Sequence, residues 1–522
     1  MNFRYIKIGA AVLAFNLALV SCERDLSEFH SSDISSETVY SNFDNYKKVL
    51  AKCYAGLAVG GQDGGDGRAD IGGIDGGTSS YLRQYFQLQQ LPTDETIIAW
   101  NDADLPDLHN MSWGSNNQFI TAMYYRIMYQ VTLANEFIRE TSDDKLSSRG
   151  ISGTQADEAR LYRNEARFLR ALSYAHAIDM FGNVAFVDEN FPIGKTAPQR
   201  IERAALFNYV ESELKDLESL LKDARTNEYG RADKAAVWML LAKLYLNAEV
   251  YTGTARNTEA ATYAKKVIDA GYSLKSNYAE LFLADNHLNN NEVIFSVNFD
   301  GRYTRTFGGT TFIISAGVGG SMQAEADYGI GGGWGGIRAT KALVEKFETA
   351  DKRGRFHTDG QNLEINNPSV FTDGYPLIKF KNITSKGVIG SDTGKAFVDT
   401  DFPLFRLADA YLIYAEAAVR GGGDKTLALT YVNDLRKRAG ASSITSSALT
   451  LDFILDERAR ELAWEGHRRT DLIRHGKFTS GYTWPWKGGS KDGVDVASYR
   501  ALYPIPARDL TANPNLVQNP GY

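Results

Sequence analysis

Three consecutive residues, Trp100-Asn101-Asp102, in the segment "TDETIIAWNDAD" set a flat indole beside an amide and a carboxylate. That mixture suits a sugar, whose ring has an apolar face for stacking and a rim of hydroxyls for fixed donors and acceptors. Asp75 and Arg83, on either side of "GGTSSYL", could serve such a rim. Tyr303 and Trp334 stand in two further glycine-rich stretches, "GRYTRTFGG" and "DYGIGGGWGG". Phe307 lies beside them but has no polar edge. A tryptophan among glycines also serves as a loop anchor filling a core gap, and this reading stays open for Trp334 and for Trp113.

Catalytic and metal motifs are absent: there is no HExxH, no CxxC pair, no GxSxG and no kinase set. The 7 histidines are scattered, and His467, next to Arg468 and Arg469, reads better as a packed residue than as a general base. Glu457, Glu461 and Glu465 recur every four residues among arginines, the pattern of a helix with salt-bridged sides and Leu462 and Trp464 buried. A glycosidase needs only two carboxylates about 5–9.5 Å apart, which a sequence cannot locate. The segment "GGQDGGDGRADIGGIDGGTSS", residues 60–80, alternates glycine with aspartate and could fold over a ligand or offer oxygens to calcium, although the EF-hand pattern is missing. Calcium therefore stays an open reading, and no cofactor is required.

The elements that must position these residues are mostly helical. Apolar residues recur at helical spacing over 42–59, 117–140, 154–182, 202–221, 231–251, 257–271, 405–422, 424–441 and 449–466. Small residues such as Ala166, Ala171, Ala175, Ala236, Ala242 and Ala248 let such helices approach closely, and paired helices of this kind resemble tetratricopeptide repeats. Cys53 sits on the apolar face of the first helix and reads as a small core hydrophobe. Residues 292–300, 310–316 and 375–382 read as short strands. The predicted fold is thus mostly α, with a helical scaffold over about 42–59, 117–290 and 402–470. Loop-rich inserts at about 60–116 and 291–400 would form the ligand-facing side of one domain spanning 42–522.

With 522 residues and a net charge of −7, the chain is a poor candidate for nucleic acid, whose partners carry a basic surface. The 28 tyrosines, 26 phenylalanines and 48 glycines suit aromatic surfaces on shaped loops. Arg4 and Lys7 precede the apolar run Ile8–Val20, which is too short for a comfortable membrane span and reads as an export signal over residues 1–21. Leu19-Val20-Ser21-Cys22 has the form of a lipoprotein cleavage box, with Cys22 lipidated and residues 22–41 a polar tether. An accidental cysteine in a cleaved leader is the plain alternative.

"RLADAYLIYAEAAVR" (406–420), "ILDERARELAWEGHRRTDLIRHGKF" (454–478) and "LYPIPARDLTANPNLVQNPGY" (502–522) resemble the SusD/RagB family of bacterial outer-membrane lipoproteins. The resemblance spans the chain after the leader. It implies a tetratricopeptide-like scaffold, exposure at the cell surface, a TonB-dependent receptor as partner, and glycan capture without catalysis. Residues 66–100 and 104–117 are similar to the starch-binding member, which implies an aromatic arc with polar neighbours at Asp75, Arg83, Trp100 and Asn101, and loosely at Tyr303 and Trp334. Two alternatives to an α-glucan-binding lipoprotein are a transporter lid with negligible sugar affinity and a surface glycosidase.

Overall fold

The computed structural model describes residues 35–288 and 290–522. The leader, Cys22 and the tether up to residue 34 lie outside the described residues. The described chain starts earlier than the tether reading anticipates. Ser36–Tyr40 is a short helix whose first turn is capped by the Ser35 hydroxyl, and Tyr40 is buried against Tyr46 and Phe137, with ring centroids 5.2 and 6.3 Å away.

The longer helices are α1 (Asp44–Ala55), α2 (Tyr81–Gln90), α3 (Gln118–Glu140), α4 (Gly153–Met180), α5 (Arg203–Leu220), α6 (Lys234–Leu246), α7 (Asn257–Asp269), α8 (Gly309–Ala316), α9 (Leu407–Val419), α10 (Lys425–Ala439), α11 (Leu451–Leu462) and α12 (Arg468–Arg474). Capping defines several of their ends. The side chains of Asn117, Asp233, Asp424 and Thr450 accept first-turn N–H bonds of α3, α6, α10 and α11, and Gly440 ends α10 in the left-handed region at φ 76°. The helices pack as neighbours in a row: α3 on α4, α4 on α5, α5 on α6, α6 on α7, α7 on α9 and α9 on α10. Ala166, Ala236, Ala242 and Ala248 are fully buried, so the close approaches expected of small residues occur.

Three two-stranded antiparallel ladders tie distant segments together: β1 (Thr96–Ile98) with β5 (Ile337–Ala339), β2 (Val184–Phe186) with β3 (Gln199–Ile201), and β4 (Val293–Val297) with β6 (Phe402–Arg406). Two strand expectations fail. Residues 310–316 belong to α8, which is buried on every side and so has no amphipathic period to separate it from a buried strand. Residues 375–382 make only isolated bridges, Tyr375 to Ala339 and Leu377 to Phe356.

The charged helix α11 also departs from expectation. It stops at Leu462; Ala463 turns extended and Trp464 takes φ 61°. Glu457, Glu461 and Glu465 are salt-bridged as the spacing suggests, but fully buried. Arg353 joins Glu457 at 2.8 Å and Glu461 at 2.9 Å. Arg406 reaches Glu292, Glu461 and Glu465 at 2.9, 2.6 and 2.6 Å, and Lys379 meets Glu465 at 2.6 Å. These guanidinium and ammonium groups hold the Glu461 and Glu465 carboxyls below the usual range although burial alone pushes the other way. The network fastens the irregular 341–401 insert to the helical scaffold. Leu462 and Trp464 are buried as the sequence suggests, and so is Cys53.

Candidate functional site

The β1–β5 ladder sets two tryptophans side by side. Ile98 pairs with Ile337, and just beyond it the Ala99 N–H donates to the Gly336 carbonyl at 2.8 Å. Trp100 follows on one strand and Trp334 precedes on the other. Their ring centroids are 6.3 Å apart with planes at 43°, and the Trp100 Nε1–H donates to the Trp334 carbonyl at 3.1 Å. A Cβ on Gly336 would stand 2.8 Å from the Trp100 ring, so glycine is needed for this approach. Both rings are partly buried.

Phenylalanines carry the row onward. Trp100 meets the edge of Phe312 on α8 at 5.9 Å, Trp334 meets Phe307 at 5.9 Å, and Phe307 stacks on Phe397 at 5.1 Å. Phe307 is therefore a member of the cluster that its missing polar edge argued against, and Phe312 and Phe397 carried no sequence signal.

Arg83, on α2, lies over the Phe312 ring at 4.4 Å and near Trp100 at 5.9 Å. Its Nη1 donates to the Phe307 carbonyl at 3.0 Å, while its Nε is buried without a hydrogen-bond partner among the described residues. Burial lowers this guanidinium to about 10, with Asp75 and Asp102 opposing the fall. A buried cationic donor next to paired indoles is equipped to meet a hydroxyl or ring oxygen. Asp75 is exposed, and its Oδ1 accepts from the Thr78 N–H at 2.7 Å and the Thr78 hydroxyl at 2.8 Å. Asn101 is exposed beyond Trp100 and makes no hydrogen bond to a described residue. Tyr303 is 84% exposed on the 300–306 loop and makes no ring contact with the tryptophans. The structure thus brings Arg83, Trp100 and Trp334 into contact, with Asp75 and Asn101 at the margin and Tyr303 apart. Trp113 is a buried anchor, donating to the Tyr522 hydroxyl at 2.7 Å.

The aspartate-glycine loop is held by one arginine. Arg126, on α3 and nearly fully buried, donates from Nη2 to the Gly60 carbonyl at 2.7 Å, from Nε to the Ser79 carbonyl at 2.6 Å, and from Nη1 to Asp70 Oδ1 at 2.6 Å. Asp70 also meets Lys52 at 3.1 Å. Among the described residues no group of three or more acidic, histidine or cysteine side chains is placed to hold a metal ion. His467 is buried and accepts a hydrogen bond at Nδ1 from Lys243 Nζ at 3.1 Å. No helix among the described residues is long and apolar enough to cross a membrane.

Comparison with known proteins gives a consistent pattern. The model of the SusD family matches residues 358–522. Over the full length of both chains the sequence is 37% identical to the starch-binding protein SusD of Bacteroides thetaiotaomicron. A SusD-like protein of Formosa agariphila is 24% identical over 96% of this chain and 95% of its own. Among solved structures, a SusD superfamily protein of Parabacteroides distasonis superposes with a TM-score of 0.71 at 22% identity, covering 92% of this chain and 99% of the other. Surface glycan-binding protein A of Bacteroides thetaiotaomicron, in complex with laminarihexaose, superposes with a TM-score of 0.69 at 20% identity over 91% and 99%.

Proposed function

The chain belongs to the SusD family, and on that premise we propose that it is a non-catalytic, cell-surface glycan-binding lipoprotein. In this reading Cys22 carries the lipid anchor. The ligand is an α-glucan such as starch or its oligosaccharides, and the captured chain passes to a TonB-dependent outer-membrane receptor. The observation that carries the reading is the Trp100–Trp334 pair with Arg83 beside it. Two partly exposed indoles at 43° offer a bent platform, and successive rings of a curved glucan can stack on such a surface while Arg83, Asn101 and Asp75 face its hydroxyls. The full-length likeness to a protein named for starch binding supports the same ligand class.

Absence of catalysis is part of the proposal. The regularly spaced carboxylates Glu457, Glu461 and Glu465 are buried in ion pairs that lower them, whereas a general acid needs a raised value. Native gel electrophoresis in the presence of starch tests the ligand. Retarded migration is expected, with no reducing sugar released on prolonged incubation. Unchanged migration in starch, together with retardation by another polysaccharide, would replace the ligand and leave the family role. Co-purification of a TonB-dependent receptor from detergent-solubilised membranes tests the partner; recovery of the protein without one would leave a free-standing glycan trap.

A further inference from the structure

Tyr303 lines a second feature, a groove of about 830 Å³, within the roughly 300–1,000 Å³ of ordinary ligand pockets. Its walls are α1, the 228–231 turn, the segment after β4, the start of the aspartate-glycine loop and the 303–305 loop. Val297, Leu57 and Ala58 give it an apolar base. Two tyrosine rings open on it, Tyr229 at 44% exposure and Tyr303 at 84%. The Tyr229 hydroxyl donates to Asp401 Oδ2 at 2.9 Å, which fixes the ring while leaving much of its surface free. The exposed polar groups that line it are the Asn298 and Gln62 amides, Asp63, the Lys47–Glu228 ion pair, and the Arg305 guanidinium, which has no ion pair with a described residue.

This groove backs onto the tryptophan cluster through packed side chains. Arg305 lies over the Phe397 ring at 5.0 Å, Phe397 stacks on Phe307, and Phe307 meets Trp334. From the loop side, Gly64 lines the groove while Gly65 packs so closely on Phe307 and Phe397 that a Cβ there would stand 2.9 Å from both rings. One wall therefore belongs to both features.

Exposed rings, amides and charged groups around an apolar base supply the stacking surface and the donors and acceptors that a sugar ring requires, repeated at a distance from the first. We propose that the groove between Tyr229 and Tyr303 binds the continuation of the glucan held at Trp100 and Trp334, so that the protein grips a long chain at two places. The proposal rests on the α-glucan reading of the tryptophan site. The Tyr229 ring, already held by Asp401, loses little freedom on binding.

Isothermal titration with maltotriose and with soluble amylose separates the two places. Maltotriose is short enough for the tryptophan pair alone, whereas amylose can span both. Tyr229→Ala and Asn298→Ala are expected to weaken amylose binding about tenfold with maltotriose affinity unchanged, as loss of a contacted ring or amide does at a binding hot spot. Tyr229→Phe keeps the ring and is expected to keep most of the amylose affinity. Asn298 is an exposed side chain, so its variant reports even where Tyr229→Ala disturbs the Asp401 contact. Unchanged amylose affinity in Asn298→Ala and in folded Tyr229→Ala overturns the second grip and spares the first. Failure of the wild-type protein to bind either glucan overturns the α-glucan reading and this proposal with it.

Discussion

Trp100 and Trp334, 234 residues apart, are joined by a single hydrogen bond of 3.1 Å from the indole of one to the backbone carbonyl of the other. The bond spends the only polar group of Trp100 inside the protein. What remains for a ligand is the ring itself, and contact through it is dispersion and stacking rather than hydrogen bonding.

Replacing Trp100 by alanine removes that surface. Binding of maltoheptaose, followed by calorimetry, is expected to weaken by about 2 kcal/mol or more, as when a central aromatic anchor is truncated. Circular dichroism should retain the helical signal, because Trp100 packs at the margin of the core and not within α3 to α10. Wild-type affinity in this variant would place the site elsewhere.

Gly336→Ala tests the same pair without touching either ring. The new methyl would stand 2.8 Å from the Trp100 indole and must displace it. Overpacking of this kind costs about 1–3 kcal/mol. Intrinsic tryptophan fluorescence should change and maltoheptaose affinity should fall several-fold; an unchanged spectrum and affinity would show that the two strands part easily.

Arg126→Met releases both ends of the aspartate-glycine loop. Asp70 would keep Lys52 at 3.1 Å but lose its shorter ion pair, and the Gly60 and Ser79 carbonyls would lose their donors, at about 1–3 kcal/mol for each buried group left unsatisfied. The sharper readout is local: amide exchange over residues 60–79 should accelerate by orders of magnitude more than exchange in α4. Uniform acceleration would mean that the arginine stabilises the whole domain and not the loop.

Acid should destabilise the protein partly through its buried histidines. Burial lowers both His176 and His467 to about 3, against about 6.5 in an unfolded chain. Between these values the unfolded state binds the proton and the folded state does not, so the stability they confer is complete above pH ~6.5 and is lost as pH falls toward 3. His467 faces Lys243, Asp409, Arg458 and Asp471. His467→Gln keeps an acceptor for Lys243, and its melting temperature should fall less steeply than the wild type's between pH 6.5 and 4. Parallel curves would assign the acid sensitivity to the carboxylates.

Much of this architecture could be read in advance because amphipathic helices write their period into the sequence. α3, α4, α5, α7 and α10 lie within a few residues of their expected limits. α8 could not be read: an all-apolar segment looks the same whether it ends as helix or strand. The burial of Glu457, Glu461 and Glu465 was equally hidden, since spacing by four describes a charged helix in water and one in the core alike. Their partners Arg353, Lys379 and Arg406 come from elsewhere in the chain. At the site, residue type alone pointed to Trp100, Arg83 and Asn101. The partnership of Trp100 with Trp334 depends on a strand pairing across more than two hundred residues, and the inclusion of Phe312 and Phe397 depends on packing that no local pattern records.

Asp94, just before β1, is gripped by Arg468 through two bonds of 2.6 and 2.7 Å across 374 positions of sequence. A chain made from its amino end presents Asp94, and Trp100 after it, long before Arg468 exists. Closing so long a loop is slow and contributes nothing until it is closed. The support beneath the tryptophans therefore needs segments from both ends of the chain. A chain truncated before Arg468 would carry Trp100 and Trp334 without the contact that holds the base of the first strand in place.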